Sequence, residues 1–157
     1  MEVEAAPRVR WSSMPSPPDV IYHLIQQEIW ERSKAESQPY FPPTYEMDDV
    51  GYGKMIHATG ESAALLGVAN HFYTSVPGVF LLLELSCPSL EASGLEVWWE
   101  PAAPVGKTGA ASALSRPEFP HIYGGGLVAG HVVRELAVHR NEDGRFVGFD
   151  VLPPPAA

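Results

Sequence analysis

Val79-Phe80-Leu81-Leu82-Leu83-Glu84-Leu85 is an almost unbroken aliphatic run with the length of a β-strand. A strand with one face in water alternates apolar and polar residues, so this run predicts a central strand that is buried on both faces. Pro88 cannot continue such a strand and is expected to end it. The run therefore marks the middle of a sheet, and the other elements are placed around it.

Shorter elements flank this run on both sides. The sequence predicts strands at residues 20–24, 55–58, 95–99 and 119–123, a hairpin of residues 132–140 and 145–149, and helices at residues 26–37 and 63–73. The hairpin is indicated by residues 141–144, a four-residue connection that ends in glycine. This order of short strands and two flanking helices is typical of an α+β fold.

The chain of 157 residues has room for one domain. Residues 1–19 mix Pro, Ser and Ala without periodicity and predict a flexible extension, so the domain should cover residues 20–150. Within it, residues 101–118 are rich in Ala, Pro, Gly and Ser and predict a flexible insertion. Residues 151–157 form a tail, and residues 38–54 form a long loop of the kind that often carries function.

The charge balance argues against nucleic-acid binding, because 10 basic and 19 acidic residues leave a net charge of −9. No apolar run approaches the roughly 20 residues that a membrane span requires, and the acidic start does not resemble a signal peptide. The single cysteine, Cys87, cannot form an intrachain disulfide. We expect a soluble protein in the cytoplasm, with the nucleus as an open alternative.

Three of the six histidines lie in predicted strands or beside them: His23, His57 and His121. Each is either a buried core histidine bonded to the backbone or a member of a functional site. Their spacing matches no metal-binding motif, so no metal is expected, although a site assembled from all three remains an open alternative. Glu100 ends the predicted strand 95–99, where it is either a solvated terminator or a site carboxylate.

Six strings in this order resemble the family called domain of unknown function nine-five-two, over about residues 20–150. They are Ile21-Tyr22-His23-Leu24, Met55-Ile56-His57, Val68-Ala69-Asn70-His71-Phe72-Tyr73, Leu81-Leu82-Leu83-Glu84-Leu85, Val97-Trp98-Trp99-Glu100 and Phe119-Pro120-His121-Ile122-Tyr123-Gly124. The family looks like a divergent relative of the ADP-ribosyltransferase fold. That fold is a split β-sandwich with flanking helices, which holds NAD in a cleft between its two sheets.

The resemblance implies a function and a set of site residues. NAD would be the co-substrate, held by His23, His57, His121 and Tyr123, and the product would be a transferred ADP-ribose. His57 and Glu100 would be the catalytic residues, with the carboxylate stabilising positive charge at the ribose carbon. Two other classes stay open: a non-catalytic module that binds a small molecule or a peptide, and a metal-dependent enzyme using the three histidines.

Overall fold

The chain forms two antiparallel sheets with helices around them, in a computed structural model that describes residues 8–49, 52–103, 105 and 118–151. The strands are β1 (Val9–Arg10), β2 (Val20–Gln26), β3 (Met55–His57), β4 (Phe80–Ser86), β5 (Glu96–Pro101), β6 (Glu118–Tyr123), β7 (Val132–Arg140) and β8 (Phe146–Val151). The helices are α1 (Gln27–Ala35), α2 (Leu65–Phe72) and α3 (Cys87–Ala92), with 3₁₀ turns at Trp11–Ser13, Ser62–Ala64 and Ala129–His131. The predicted α+β class is confirmed.

Strand β4 lies in the interior of its sheet, whose order is β2-β4-β7-β8, and pairs antiparallel with β2 and β7. Its side chains alternate between two faces that are both covered. Leu81, Leu83 and Leu85 pack in one hydrophobic cluster, while Phe80 and Leu82 pack in another. The prediction of a central strand buried on both faces is confirmed, and this explains why its sequence lacks alternation.

The larger cluster fills the space between the two sheets. Ile56, Val97 and Ile122 contribute to it from the second sheet, whose order is β1-β5-β6-β3. The sheets also share backbone bonds, because Tyr22 and Thr59 exchange two hydrogen bonds of 2.8 and 2.7 Å. The fold is therefore a pair of sheets packed face to face and tied together next to β3.

Helix α2 covers the other face of the β4 sheet. Leu65 and Ala69 are its buried residues, and they pack with Leu24, Leu82 and Phe146. Leu65 and Ala69 thus face this core, whereas Val68 and Phe72, which follow the same helical spacing, line a cavity. Every helix of the described residues lacks the length and apolarity needed to cross a bilayer.

The sequence predicts that Pro88 ends the strand, and it predicts no helix after it, whereas the structure has helix α3 there. The proline instead lies in the first turn of α3, where its missing N–H is not needed by the helix. The hydroxyl of Ser86 caps this end by accepting a hydrogen bond from the Ser89 amide. The proline therefore ends the strand and begins a short helix.

Residues 8–19 differ from the predicted flexible extension, because they form part of the fold. Strand β1 pairs with β5, and the indole of Trp11 packs against the main core and donates to the Pro18 carbonyl at 2.6 Å. A strand of two residues is too short to show periodicity, so the sequence carries no signal for it. Residues 1–7, most of the predicted insertion 101–118 and the tail from residue 152 lie outside the described residues.

Candidate functional site

Three histidines from three strands come together at one cavity. His23 lies on β2, His57 on β3 and His121 on β6, and the last two are cross-strand partners. All three line one cavity, whose other walls are largely apolar. The empty space in and in front of this cavity is about 450 Å³, which includes open solvent. Among the apolar members are Val68 and Phe72 of α2, together with Ala103, Val105 and Phe119.

The His23 ring is held by the backbone of the neighbouring strand. Its Nδ1 atom lies 2.6 Å from the carbonyl oxygen of His57, and since a carbonyl only accepts, Nδ1 carries the proton. In the neutral ring Nε2 is then an acceptor. Burial lowers the pKa of His23 to about 4, against the opposing effect of the His57 carbonyl. His23 is therefore neutral at physiological pH.

The His121 ring is held by a buried carboxylate. Its Nδ1 atom lies 2.7 Å from Oε1 of Glu100, and the Tyr123 hydroxyl donates to the same oxygen at 2.5 Å. Burial would raise the pKa of Glu100, but these two bonds and the charge of Arg8 outweigh it and lower that pKa. Burial also lowers the pKa of His121. The pair is therefore a carboxylate beside a neutral imidazole with its proton on Nδ1.

His57 lies between these groups and faces a carboxylate that the sequence analysis missed. Its Nε2 atom is 3.4 Å from Oδ2 of Asp48, a separation longer than a good hydrogen bond, and its ring is edge-on to His121 at 5.2 Å. Asp48 is 1% exposed and accepts a hydrogen bond from the Thr44 hydroxyl at 2.8 Å. The only signal for Asp48 was its place in the long loop 38–54.

The three rings share an unusual property. The Nε2 atoms of His23, His57 and His121 are buried, and none has a hydrogen-bond partner among the described residues. Leaving a buried polar atom unpaired costs about 1–3 kcal/mol, so such atoms call for an explanation. For His23 and His121 the bond at Nδ1 leaves Nε2 as an acceptor. The arrangement suits a ligand that donates hydrogen bonds.

Metal binding by these residues has no support from their arrangement. Within residues 8–49, 52–103, 105 and 118–151, no three His, Cys, Asp or Glu side chains are placed to hold a metal ion. The alternative of a three-histidine metal enzyme therefore has support neither from a sequence motif nor from the described arrangement.

Two potential nucleophiles of the described residues, Cys87 and Ser93, are not activated by their surroundings. Burial raises the pKa of the Cys87 thiol to about 12, so the thiol stays protonated. Ser93 Oγ lies 2.9 Å from Nε2 of the buried His131, but the Val128 amide donates to Nδ1 of that ring. In the neutral ring the proton is then on Nε2, so this histidine cannot take the serine proton.

The predicted site residues thus divide into two groups. His23, His57 and His121 line the cavity, whereas Glu100 and Tyr123 lie behind His121 and do not line it. Glu100 is 3% exposed and is bonded to Arg8, which is 92 residues away in sequence. The structure brings these five residues together in one region, but nothing in the sequence distinguishes the residues that line the cavity from those that support them.

A known structure shares this fold. The crystal structure of protein CC0527 from Caulobacter crescentus is 22% identical to this chain with a TM-score of 0.55, over 82% of this chain and 93% of that one. No curated protein matches the sequence significantly. Residues 24–135 match the family DUF952, described as "Protein of unknown function", and because this match spans more than half of the chain, the protein belongs to that family.

Proposed function

We propose that the histidine-lined cavity binds NAD or a related nucleotide and that the protein transfers ADP-ribose from it. The observation that carries this proposal is the set of three buried imidazole Nε2 atoms that make no hydrogen bond with the described residues, on histidines that line one largely apolar cavity.

The chemistry of the rings favours a ligand with hydroxyl groups. His23 and His121 are neutral and keep Nε2 as an acceptor, so they match the 2′- and 3′-hydroxyls of a ribose, which donate hydrogen bonds. The apolar walls, with Phe72 and Phe119 among them, suit the flat nicotinamide ring or a base. A nucleoside part of NAD combines these two requirements.

The resemblance to the ADP-ribosyltransferase fold supports the same ligand. In that superfamily a histidine or arginine on the first strand contacts the ribose and adenylate side of NAD, and the resemblance assigns this position to His23. A pair of antiparallel sheets with few helices is compatible with this relationship.

The transfer step would depend on His57 and on the Glu100–His121 pair. Breaking the bond between ribose and nicotinamide develops positive charge at the ribose carbon, and a nearby negative group stabilises it. Glu100 would act through the His121 ring rather than by direct contact, since it bonds to Nδ1 of that ring. His57 is the remaining ring that could contact the reacting ribose, with Asp48 beside it.

One observation favours a second candidate, a binding module without catalysis. Among the described residues that line the cavity there is no carboxylate, because Glu100 is placed behind His121. A module that only binds has no need of a carboxylate at the ribose carbon. The two candidates share the ligand site and differ in whether nicotinamide is released.

An NMR titration of the histidine side chains with NAD and ADP-ribose tests the binding step. We expect saturable shifts at His23 and His121 in the wild-type protein. His23→Asn and His121→Asn should each weaken binding roughly tenfold, because the amide replaces the Nδ1 donor but removes the Nε2 acceptor. His139→Asn is the matched control, since His139 is exposed and paired with Asp150 at 2.6 Å, away from the cavity.

Two outcomes would change the conclusion. If neither nucleotide shifts the rings at millimolar concentration, nucleotide binding is wrong. If both bind but no nicotinamide is released from NAD over hours, with or without candidate acceptors, the second candidate is correct. An equal loss of affinity in the His139→Asn control would show that the asparagine effects are not specific to the cavity.

A further inference from the structure

Glu100 is joined to the start of the chain by an ion pair. Its Oε2 atom accepts a hydrogen bond from Nε of Arg8 at 2.9 Å, while its Oε1 atom faces His121 and Tyr123. Among the described residues, Arg8 is the one arginine or lysine paired with this carboxylate. The two oxygens of Glu100 therefore divide their partners between the N-terminal segment and the site.

The Arg8 guanidinium is also held in place by aromatic rings. Its central carbon lies 3.7 Å from the centre of the Trp98 ring and 3.8 Å from the centre of the Tyr52 ring. Strand β1 begins at the next residue, and it pairs with β5, which carries both Trp98 and Glu100. Backbone pairing, stacking and the ion pair all fix Arg8 on the far side of Glu100 from His121.

We propose that Arg8 is a positioning residue, which acts through Glu100 to keep Nε2 of His121 unprotonated as an acceptor at the cavity. A carboxylate beside an imidazole favours protonation of the ring, whereas a cation bound to that carboxylate opposes it. Arg8 thus lets Glu100 hold the Nδ1 proton of His121 without drawing a second proton to Nε2. This inference concerns the state of one ring and does not depend on the identity of the ligand.

Arg8 acts on His121 through Glu100, and it adds to burial and to the neighbouring His57, which also disfavour protonation of the ring. The titratable groups that act on this ring are Glu100 of β5, His57 of β3 and Asp48 of loop 38–54, with burial as the main effect. Two of these three are carboxylates, which favour the protonated ring. Arg8 lies outside residues 24–135, so the family match does not include this contact.

The test is the pH at which His121 takes up its second proton, followed by the ¹⁵N shifts of its ring nitrogens in the full chain. Arg8→Gln removes the charge and keeps a donor, and it should raise the pKa of His121 by roughly one unit, a tenfold change in proton affinity. Arg8→Lys keeps the charge and should stay close to the wild-type value. Arg8→Met, which also removes the charge, takes the place of Arg8→Gln if that variant does not fold.

Arg10→Gln is the control, because Arg10 lies two residues after Arg8 in the same N-terminal segment but pairs with Glu91 at 2.9 Å instead of Glu100. It should leave the His121 titration unchanged even if it lowers stability. An unchanged His121 titration in Arg8→Gln or Arg8→Met would overturn the proposal, as would an equal rise in Arg10→Gln. These results do not involve NAD, so the inference can fail or succeed separately from the proposed function.

Discussion

His23 links the site to the stability of the fold through its protonation. Burial lowers its pKa to about 4, against an ordinary value of 6.5, so the unfolded chain binds the proton more tightly than the folded one. The contribution of His23 to the free energy of unfolding is fully present above about pH 6.5, and it is lost as the pH falls from there towards 4. Between about pH 7.5 and 5 the loss is about 2 kcal/mol.

Urea unfolding of wild type and His23→Asn at these two pH values measures this contribution. The asparagine variant lacks the titrating ring but keeps a donor for the His57 carbonyl. Between the two pH values its free energy of unfolding should therefore fall by about 2 kcal/mol less than that of the wild type. His139→Asn should retain the wild-type pH dependence. A pH dependence in His23→Asn that equals the wild-type one would mean that His23 is not buried in its neutral form.

The sequence predicted which residues belong to the candidate site better than it predicted which residues they contact. His23, His57 and His121 stood out because each lies in or beside an apolar strand. The pairing of Glu100 with Arg8 depends on the contact of β1 with β5, which no local pattern encodes. Such long-range pairs cannot be predicted from periodicity.

The loop 38–54 is attached to the body of the protein by backbone contacts at Tyr40. Tyr40 exchanges two hydrogen bonds with Leu127, of 2.8 and 2.9 Å, and its ring lies 5.9 Å from that of His23. Gly126 allows this approach, because a Cβ atom there would lie 2.5 Å from the Tyr40 carbonyl oxygen. The attachment of loop 38–54 thus depends on a glycine in the connection that follows β6.

Gly126→Ala should therefore destabilise the protein by about 1–3 kcal/mol and shift the His23 resonances, since the added methyl group displaces Tyr40. Gly130→Ala provides the comparison, because a Cβ at that position meets no atom within 4 Å. Chemical denaturation and NMR spectra of the two variants measure the effect. If the two alanine variants are equally stable, the close contact at Gly126 is not important for the attachment of the loop.

Elements with a long apolar pattern were predicted well, and short ones were not. Strands β2 and β4 are close to their predicted bounds, because each has several consecutive residues that pack in the core. Strand β7 is also close to its predicted bounds, although Leu136 is its one buried residue, because the connection 141–144 marks its end. Helix α3 has six residues, which is too short for a clear apolar period, and the Ser86 cap defines its start. Pro88 therefore predicts only the end of the strand before it. Two-residue β1 offered no pattern at all.

For the whole molecule, the N-terminal segment should contribute to stability. A chain that begins at residue 20 loses β1, the Trp11 packing and the ion pairs of Arg8 and Arg10, and we expect a cost of about 3 kcal/mol. A chain that lacks residues 1–7 alone is the reference, so the difference in urea midpoint measures residues 8–19. Equal midpoints of the two shortened chains would show that these contacts contribute nothing.

The pair of backbone bonds between Tyr22 and Thr59 has a consequence for how the cavity adapts. Both residues line the cavity, so the bonds join the two sheets within its wall. Rotating one sheet against the other would break these bonds, and the wall therefore responds to a ligand as a rigid unit. We therefore expect the fit to ligands of different size to come from side-chain rotamers and from lining residues outside the sheets, such as Val68 and Phe72 of α2.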